Sequence, residues 1–470
     1  MSDWCAKEIS TIDLGDKRLD RRMEKTLSRI SSNPTLSIPA SSKNWAETKA
    51  TYRFYNNDLV TSAKVLLPHK DATLTRIRSQ DRVLILQDTT EVDFTGRKVK
   101  GSGPLSYEER TGFFNHASIA VTPERLCLGV IDATIWARDP EEHHKNDDRK
   151  QKPIEEKESY RWIESYRKAC EVQKQCPDTV IISVSDREGD IYEYFVEYSQ
   201  FPKTECAEWI IRGCQDRSLT DKLEVSAGTE YKKLYAEVES TRILGQVEFD
   251  IPKTKDRASR SVTQTIRATS VKLKAPYRKG RKLPSVEINV VLAKEENPPV
   301  GEDPIEWLIL TSLPVNNFEN ACEVIKCYLC RWQIEVYFKV LKSGCKIEER
   351  QLKTAGRIEP CIALYMIVAW RVLYVMMLGR ECPDLPCTVL FDEDEWQSVY
   401  AIKKRQLPPE IPPSLGEFVK MIASLGGHLG RKKDKPPGPK AMWIGMQRVT
   451  DFSLAWKEFG PSSGIREGPS

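Results

Sequence analysis

The sequence lacks the residue patterns that zinc sites, disulfide frameworks and nucleotide pockets require. Histidine occurs only 5 times in 470 residues, and the 13 cysteines are odd in number and irregularly spaced. Such usage favours a reducing compartment over a disulfide framework. The one CxxC, at 327–330, has no second CxxC or histidine pair at zinc-binding spacing, so we interpret its thiols as buried. A GxxxxGK[ST] motif is absent, which argues against a nucleoside triphosphatase.

Long apolar segments are also missing. Residues 1–10 are polar and charged, which predicts no signal peptide. The longest apolar run, 362–378, contains Arg371 and is shorter than the roughly 20 residues that a membrane span needs. We interpret this run as a buried core helix, and we expect a soluble cytoplasmic protein with no membrane partner.

A strong net charge is absent as well. Lys and Arg number 72 against 68 Asp and Glu, a net of +4, so the overall balance identifies no partner. Cations are nevertheless concentrated at 253–282, where eleven Lys and Arg accompany one acid, Asp256. This strip is either a solvated basic hairpin or a contact for a polyanion. With 40% hydrophobic and 30% charged residues, the chain can bury a sizeable core.

Hydrophobic periodicity divides the chain into three regions. Residues 17–65 are basic and show a helical apolar stripe, which predicts a small unit of short helices. The middle region, with the order β, β, β, α, β, α, predicts a mixed α/β domain. Within it, 209–313 is rich in Val, Thr and Ile and predicts a mostly antiparallel β insertion. Beyond 378 the sequence is Pro-rich, with helices predicted at 415–425 and 442–459.

Two acids follow short apolar runs that are typical of buried strands. Asp88 follows 83–87, and Asp186 comes after 180–184. Ligands of open α/β sheets bind beyond the carboxyl ends of strands, so these two carboxylates can converge. A single acid in this position is more often a cap or turn residue, and convergence is therefore a hypothesis.

A third acid, Glu335, lies on a predicted helix with an unusual polar stripe. At about 100° per residue, five side chains fall within an arc of about 80°: Tyr328, Arg331, Glu335, Lys339 and Lys342. A polar stripe is commonly just a solvated face. Here, however, one carboxylate stands among three cations and a phenol, so it could hold a metal while its neighbours bind phosphates.

The three acids suit Mg²⁺ or Mn²⁺, which prefer hard oxygen ligands. Two such ions about 3.5–4 Å apart can activate an attacking oxygen and stabilise a leaving one in phosphodiester cleavage. His143–His144 and the acidic run 392–395 are interpreted as solvated loops.

At this point the sequence resembles a known family. Gln87-Asp88-Thr89-Thr90, the run 184–188 and the Y-x2-R-x3-E-x6-K pattern that begins at Tyr328 resemble the bacterial DDE transposases of the insertion-sequence-four family. The resemblance extends to 14–16, 52–54, 306–312 and 425–427. The spaced four-residue signature is specific, whereas the isolated Asp motifs are not.

The resemblance implies an α/β fold: an RNase H-like catalytic core that is interrupted by the β insertion. It implies an N-terminal helical DNA-binding domain at 1–68, a catalytic domain at 69–378 and a C-terminal helical dimerisation region at 379–470. Asp88, Asp186 and Glu335 would be catalytic metal ligands for Mg²⁺, with Mn²⁺ as a substitute. The reaction would be cut-and-paste transposition through a DNA hairpin, catalysed by a homodimer in the bacterial cytoplasm on nucleoid DNA.

The resemblance also implies residues that contact DNA. Trp307 would stack on a base flipped from the hairpin, and Tyr328, Arg331, Lys342 and Arg212 would lie against the DNA near the site. Lys339 joins them by its place in the stripe. Double-stranded DNA, as inverted-repeat ends and as target, is the expected partner. The candidate contacts to the ends are Lys17, Arg18, Arg21, Arg22 and Arg53.

Other functions are compatible with parts of this pattern. A stand-alone RNase H-like nuclease would use the same acids without end recognition. A DNA-binding repressor of transposition would keep the basic helices without catalysis. Basic N-terminal helices and Trp307 favour a transposase, since simple hydrolysis needs neither. For the dimer, the last helix with Trp443 and Trp456 is the candidate contact, and intramolecular packing is the alternative.

Overall fold

The computed structural model describes residues 3–107, 109–143, 152–225, 228–251 and 259–461. The chain forms two compact units. The first unit comprises 1–77, 89–144 and 333–470, and the second comprises 78–88 and 145–332. His144, part of the basic strip (252–258) and the tail after 461 lie outside the described residues, as does the side chain of His143. The predicted domain boundaries at 68 and 378 are not boundaries of these units and stay a prediction.

The second unit is built on a mixed sheet. In spatial order its strands run β1, β5, β6, β12, β11, β10, β7, β8, with β9 paired to β10. Strands β1, β5 and β6 are parallel to one another, and the rest pair antiparallel. The strands are β1 (Arg82–Asp93), β5 (Val180–Ser185), β6 (Glu208–Arg212), β7 (Ser218–Val225), β8 (Gly228–Lys233), β9 (Gly245–Ile251), β10 (Arg260–Leu273), β11 (Val286–Glu295) and β12 (Glu306–Thr311).

Four helices belong to this unit. They are α7 (Tyr160–Gln175), α8 (Tyr192–Gln200), α9 (Leu234–Ser240) and α10 (Phe318–Leu329). Apart from α9, the helices and strands described between 218 and 311 are antiparallel strands, as the sequence predicts for the β insertion. Strand β6 differs from that prediction, because it pairs parallel with β5 and so extends the central sheet.

The first unit is mainly helical, with a small antiparallel sheet of β2 (Gly103–Pro104), β3 (Thr111–Val121) and β4 (Cys127–Trp136). Its helices are α1 (Asp3–Glu8), α2 (Lys17–Ser32), α3 (Ile38–Ser41), α4 (Trp45–Tyr55), α5 (Ser62–Ile77), α6 (Pro140–His143), α11 (Trp332–Lys339, all but its first residue), α12 (Ala355–Glu381), α13 (Glu393–Lys404), α14 (Leu415–Leu425) and α15 (Pro439–Phe459).

Helix α12 is the core of the first unit. It is long and apolar enough by composition to cross a membrane, but 94% of its most apolar stretch is buried inside the protein. It packs against α5, β4, α2, α4, α14 and α15. Arg371 is buried within it, and its guanidinium donates a hydrogen bond to the carbonyl of Leu390. The prediction of a core helix at 362–378 is therefore confirmed.

Three local predictions are wrong. Strand β1 does not end before Asp88 but continues to Asp93. The predicted helical region 320–378 is interrupted twice: α10 ends at Leu329, and after α11 the segment Val340–Gly344 winds as a π-helix. The acidic run 392–395 is the start of α13, where Asp392 and Glu395 form a capping box with the backbone, so it is no loop.

Candidate active site

Asp88 lies on β1, and Asp186 directly follows the neighbouring parallel strand β5. In the register of β1 and β5 the last pair is Leu86 opposite Val184, and continuing it by two residues would set Asp88 opposite Asp186. Residues in register on parallel strands share one face of the sheet, with the strands about 4.8 Å apart. The structure thus brings these two predicted site residues together, although Asp88 lies within its strand rather than after it.

Arg212 extends the row by one strand. In the register of β5 and β6 the last pair is Ser185 opposite Ile211, and continuing it by one residue would set Asp186 opposite Arg212. The guanidinium of Arg212 donates a hydrogen bond to the carbonyl of Glu306 at 2.9 Å. A fixed cation therefore stands beside two carboxylates on the same face of the central sheet.

Gln87 and Asp88 lie on opposite faces of β1, and both faces are buried along the apolar run 83–86. Gln87, directly before Asp88, is fully buried and donates from Nε2 to the hydroxyl of Ser183 at 2.7 Å. Tyr194 of α8 donates to the same hydroxyl at 3.0 Å. Because side chains alternate along a strand, anchoring Gln87 on the inner face directs Asp88 to the outer one.

Both carboxylates are partly exposed and hydrogen-bonded. Arg331 pairs with Asp88, its Nη1 lying 3.0 Å from Oδ2, and the Asp88 side chain is 18% exposed. The Oδ1 atom of Asp186 accepts the backbone N–H of Glu188 at 2.8 Å and so caps the turn that follows β5. Asp186 therefore has both roles that the sequence suggested: it is a turn-capping residue, and it also lies beside Asp88.

Trp307 lies at the edge of this group on β12. Its indole is half-buried, with the guanidinium carbon of Arg212 6.0 Å from the ring centroid. The ring of Tyr328 lies on it edge-on with a centroid distance of 6.5 Å. Tyr328 itself is only 7% exposed, so it supports Trp307 by packing. An aromatic platform flanked by a cation is the kind of surface on which nucleobases stack.

The remaining stripe residues belong to the first unit. Glu335 is partly exposed on α11, and Lys339 is exposed at the end of that helix. The ammonium of Lys342 lies 3.1 Å from Oε1 of Glu348. Because the helix breaks at Cys330 and turns into a π-helix at Val340, the five stripe residues do not follow one α-helical face as predicted.

The predicted N-terminal contacts lie on two helices of the first unit. Lys17 and Arg18 are more than 80% exposed, and each pairs with a neighbouring acid, Asp20 and Asp16 respectively. Arg21 and Arg53 are exposed as well, and Arg22 is partly exposed. The structure places all five predicted residues where solvent reaches them.

Sequence reasoning missed Asp190. This carboxylate is fully buried, accepts the backbone N–H groups of Cys214 and Gln215, and pairs with the guanidinium of Arg217. It therefore ties the turn that carries Asp186 to the segment that follows β6. The signal in the sequence was the second Asp of the run 186–190, which directly follows Gly189. Gly189 is required in the turn, because an added Cβ would lie 2.3 Å from the Ser185 hydroxyl.

The donor chemistry of the row fits a divalent cation in part. Asp88 and Asp186 supply neighbouring hard oxygens, which Mg²⁺ prefers. Across the described ranges, however, no group of three or more His, Cys, Asp or Glu side chains is arranged to hold a metal ion. Glu335, the predicted third ligand, belongs to the other unit, so its place in a metal site stays a prediction.

Two segments of the chain match known protein families. Residues 1–60 match the family described as "Transposase DNA-binding". Residues 367–458 match the family described as "Transposase Tn5 dimerisation domain". The first match covers α1 to α4, and the second covers α13 to α15 with the larger part of α12. Together they support a role in DNA transposition, with DNA and a second copy of the chain as partners.

Among solved structures, the chain is similar to one titled "Cryo-EM structure of piggyBac transposase synaptic complex with hairpin DNA (SNHP)". The sequence identity is 9% and the TM-score 0.36, with 100% of this chain and 82% of that chain covered. Similarity at this level carries no inference about fold or activity.

Proposed function

We propose that this protein is a DDE transposase of the insertion-sequence-four type, which excises a DNA element by cutting at its ends and joins those ends to a target. The matches of residues 1–60 and 367–458 support a role in transposition. The single observation that carries the catalytic part is the alignment of Asp88 with Asp186 on adjacent parallel strands.

In this proposal Asp88, Asp186 and Glu335 hold Mg²⁺ or Mn²⁺. When bound, such ions lower the pKa of an attacking water or hydroxyl and stabilise the negative charge on the leaving oxygen. The residues of the chain orient the DNA around them. Arg212, whose guanidinium donates to the Glu306 carbonyl, would hold a backbone phosphate in this proposal.

The proposed reaction has four steps. Water attacks the phosphorus at the element's end, and the 3′-oxygen of the cut strand leaves as a hydroxyl. That hydroxyl attacks the opposite strand and closes a hairpin, which releases the flanking DNA. A second water opens the hairpin, and the regenerated 3′-hydroxyl attacks a target phosphodiester. Each step exchanges one oxygen for another at phosphorus, so the same carboxylates serve throughout.

End recognition is assigned to the N-terminal helices. Lys17, Arg18, Arg21 and Arg22 lie on α2, and Arg53 lies on α4, all at least partly accessible. Cations on two helices of one small domain can neutralise several phosphates, which supplies most of the affinity of such interfaces. Base-specific contacts would come from polar residues of the same helices.

The test replaces each acid by its amide. Asp88→Asn, Asp186→Asn and Glu335→Gln should each lower Mg²⁺-dependent cleavage of end-bearing DNA by more than about 100-fold, because a metal ligand is lost. End binding in a gel-shift assay should persist, since it rests on other residues. Asp178→Asn is the matched control, because Asp178 is exposed just before β5 begins, at the other end of that strand from Asp186.

The outcomes separate the alternatives. Normal cleavage by any one of the three variants would contradict the assigned triad. Cleavage of any duplex regardless of its ends, followed by no joining, would indicate a nuclease. Wild-type protein that binds ends tightly and never cuts them with Mg²⁺ or Mn²⁺ would indicate a repressor.

A further inference from the structure

The turn that joins β10 to β11 concentrates positive charge on the second unit. We define the basic turn as residues 274–283. It contains no Asp or Glu and five cations: Lys274, Arg278, Lys279, Arg281 and Lys282. It contains the C-terminal end of the strip 253–282, which the sequence left open between a solvated hairpin and a polyanion contact. The basic turn is separate from the residues proposed for cleavage and for end recognition.

The basic turn is held in one conformation. Arg278 and Arg281 form an antiparallel bridge, and the N–H of Arg281 donates to the carbonyl of Arg278. Between them Gly280 has φ of +74°, a conformation that glycine adopts without strain. Leu283 is buried beneath the turn. The hydroxyl of Tyr192 donates to the carbonyl of Pro284 at 2.8 Å, which fastens the return strand.

Two of the five cations are neutralised by acids from other elements. The Nε atom of Arg278 lies 2.6 Å from Oε1 of Glu193, which is buried on α8. Arg281 lies 3.0 Å from Oε1 of Glu155. These two pairs anchor the base of the turn, and their charges are therefore already balanced within the protein.

The other three cations face solvent. Lys279 and Lys282 are exposed, and within the described ranges neither forms an ion pair. The ammonium of Lys274 lies 3.4 Å from the ring centroid of Tyr231, so it is held by an aromatic face rather than by an acid. Tyr277, in the same turn, is 88% exposed. Excess positive charge thus remains on the outer side, next to an exposed aromatic ring.

We propose that the basic turn binds the phosphate backbone of target DNA, independently of sequence; this inference rests on the proposed transposase function. Exposed lysines on an ordered turn suit phosphates of a duplex, because lysine acts as a point charge and needs no defined base edge. A protein that captures arbitrary target sites needs such a contact outside its end-recognition domain. An acidic protein partner would be attracted by the same charge, and the experiment separates the two.

The experiment compares two triple variants of the full chain. The test variant is Lys274→Gln, Lys279→Gln and Lys282→Gln. The control variant is Lys152→Gln, Lys203→Gln and Lys326→Gln, which removes the same charge from other exposed lysines of the second unit. Circular dichroism melts should match wild type for both variants.

Binding to a random-sequence duplex is measured against salt concentration. Each lost phosphate contact reduces the slope of log K against log salt by about 0.9, so the test variant should lose up to about 2.7. The control variant should keep the wild-type slope. Equal slopes for test variant and wild type would overturn the proposal, and so would unchanged DNA binding with lost binding of a polyglutamate probe.

Two further arms identify which DNA is bound. With ends already cut and no flanking DNA, the test variant should join them to a plasmid at least about tenfold more slowly. Cleavage of intact ends should stay at the wild-type rate. Loss of cleavage with normal joining would place flanking DNA on the turn and refute the target assignment. If wild type does not cut ends at all, the proposed function fails, whereas the salt slopes still test the turn.

Discussion

At the scale of single residues, Trp307 is the clearest case of a side chain whose role depends on its surroundings. A tryptophan near the start of a strand is commonly a packing residue, and contact with Tyr328 agrees with that. However, the indole is half-buried rather than enclosed, and it adjoins Arg212 of the row that contains the acids. The position therefore suits stacking with a flipped base, as the proposed hairpin step requires.

Trp307→Ala should still bind ends and make the first nick, yet form hairpins slowly. Flipping a base costs a few kcal/mol, and stacking on an indole returns roughly 1–3 kcal/mol of that. The expected loss in the hairpin rate is thus about 10- to 100-fold, measured on denaturing gels.

Two controls sharpen this prediction. Trp307→Phe should retain most of the rate, because it keeps an aromatic face. An abasic nucleotide at the flipped position should partly rescue the alanine variant, since no base then needs a platform. Wild-type hairpin rates in the alanine variant, or a failure of that variant to fold, would favour a packing role.

A second residue-scale feature is the buried histidine of the first unit. The Nε2 atom of His69 accepts the N–H of Val130 at 2.9 Å, so Nδ1 carries the proton and donates to Glu8. Arg76 binds the same carboxylate. Burial lowers the pKa of His69 from its usual 6.5. Burial alone would raise the pKa of Glu8, but His69 and Arg76 outweigh it, and the net pKa is lowered.

The stability of the fold should therefore decrease in mild acid. Because the pKa of His69 is depressed on folding, its contribution is complete above about pH 6.5 and is lost as the pH falls, by at most about 1.4 kcal/mol per pH unit. Glu8 adds a further loss below its usual 4.5. Thermal melts of wild type and His69→Gln at pH 5 to 8 measure this. The variant should be less stable at pH 7.5 but should lose less stability between pH 7 and 5; parallel curves would refute the assignment.

At the scale of elements, glycine decides how closely α14 and α15 approach. A Cβ atom built on Gly445 would lie 2.0 Å from the carbonyl oxygen of Ile422, and one on Gly426 would lie 1.8 Å from that of Ala441. Both contacts involve backbone, which cannot turn away as a side chain can. These glycines therefore allow the close packing of helices in the segment that matches the dimerisation family.

Gly445→Ala should destabilise the protein by about 1–3 kcal/mol through overpacking. Gly356→Ala is the control, because Gly356 is also helical but has nothing within 4 Å of a Cβ. That change should be neutral or stabilising by up to about 1 kcal/mol, since alanine favours a helix over glycine. Urea unfolding measures both, and equal midpoints for the two variants would contradict the proposed close approach.

Element boundaries show where local pattern failed. The periodicity of 320–342 predicted one stripe, but Arg331 lies between two helices and Lys342 lies in a π-helix. A π-helix adds one residue to a turn, which rotates later side chains by roughly 100°. Neither Pro nor Gly marks the break after Leu329, so no residue in the sequence signals it.

At the scale of the whole molecule, the proposed reaction needs two ends to be brought together. Light scattering of the complex with end DNA should give two protomers and two ends. Mixing Asp88→Asn with a variant that lacks charge at Arg21, Arg22 and Arg53 tests whether one protomer cuts the end held by its partner. Restored cleavage in the mixture would show this trans arrangement, whereas a stable one-to-one complex that cuts fully would contradict it.

The predicted contact for such a dimer is corrected in one respect. Trp443 of α15 is only 7% exposed, and its ring packs 3.0 Å from the position of a Cβ on Gly344. It is therefore an intramolecular packing residue. Trp456 is partly exposed, and Leu454 and Phe459 on the same helix are 58% and 78% exposed. A second copy would meet these residues of α15 rather than Trp443.

The sequence by itself determined most of the helices and strands. Burial of one face imposes a periodic spacing of apolar residues, and this spacing is visible in the sequence. Helix α14 lies at the predicted residues, the described strands of the β insertion pair antiparallel apart from β6, and the apolar run around Arg371 is a core helix. The sequence also singled out Asp88 and Asp186, because each follows a short apolar run and the motif around each resembles a known family.

Only the tertiary structure decided which of these residues meet. Continued past the last paired residues, the strand register sets Asp88 opposite Asp186 and Asp186 opposite Arg212. For Asp88 and Asp186, this register depends on pairing between strands that are about 100 residues apart in the chain. Gln87 is anchored to the Ser183 hydroxyl on one face of the sheet, and alternation along β1 therefore sets Asp88 on the other face. The local spacing of apolar residues carries no information on such pairings, because a strand shows the same spacing whichever strand it pairs with.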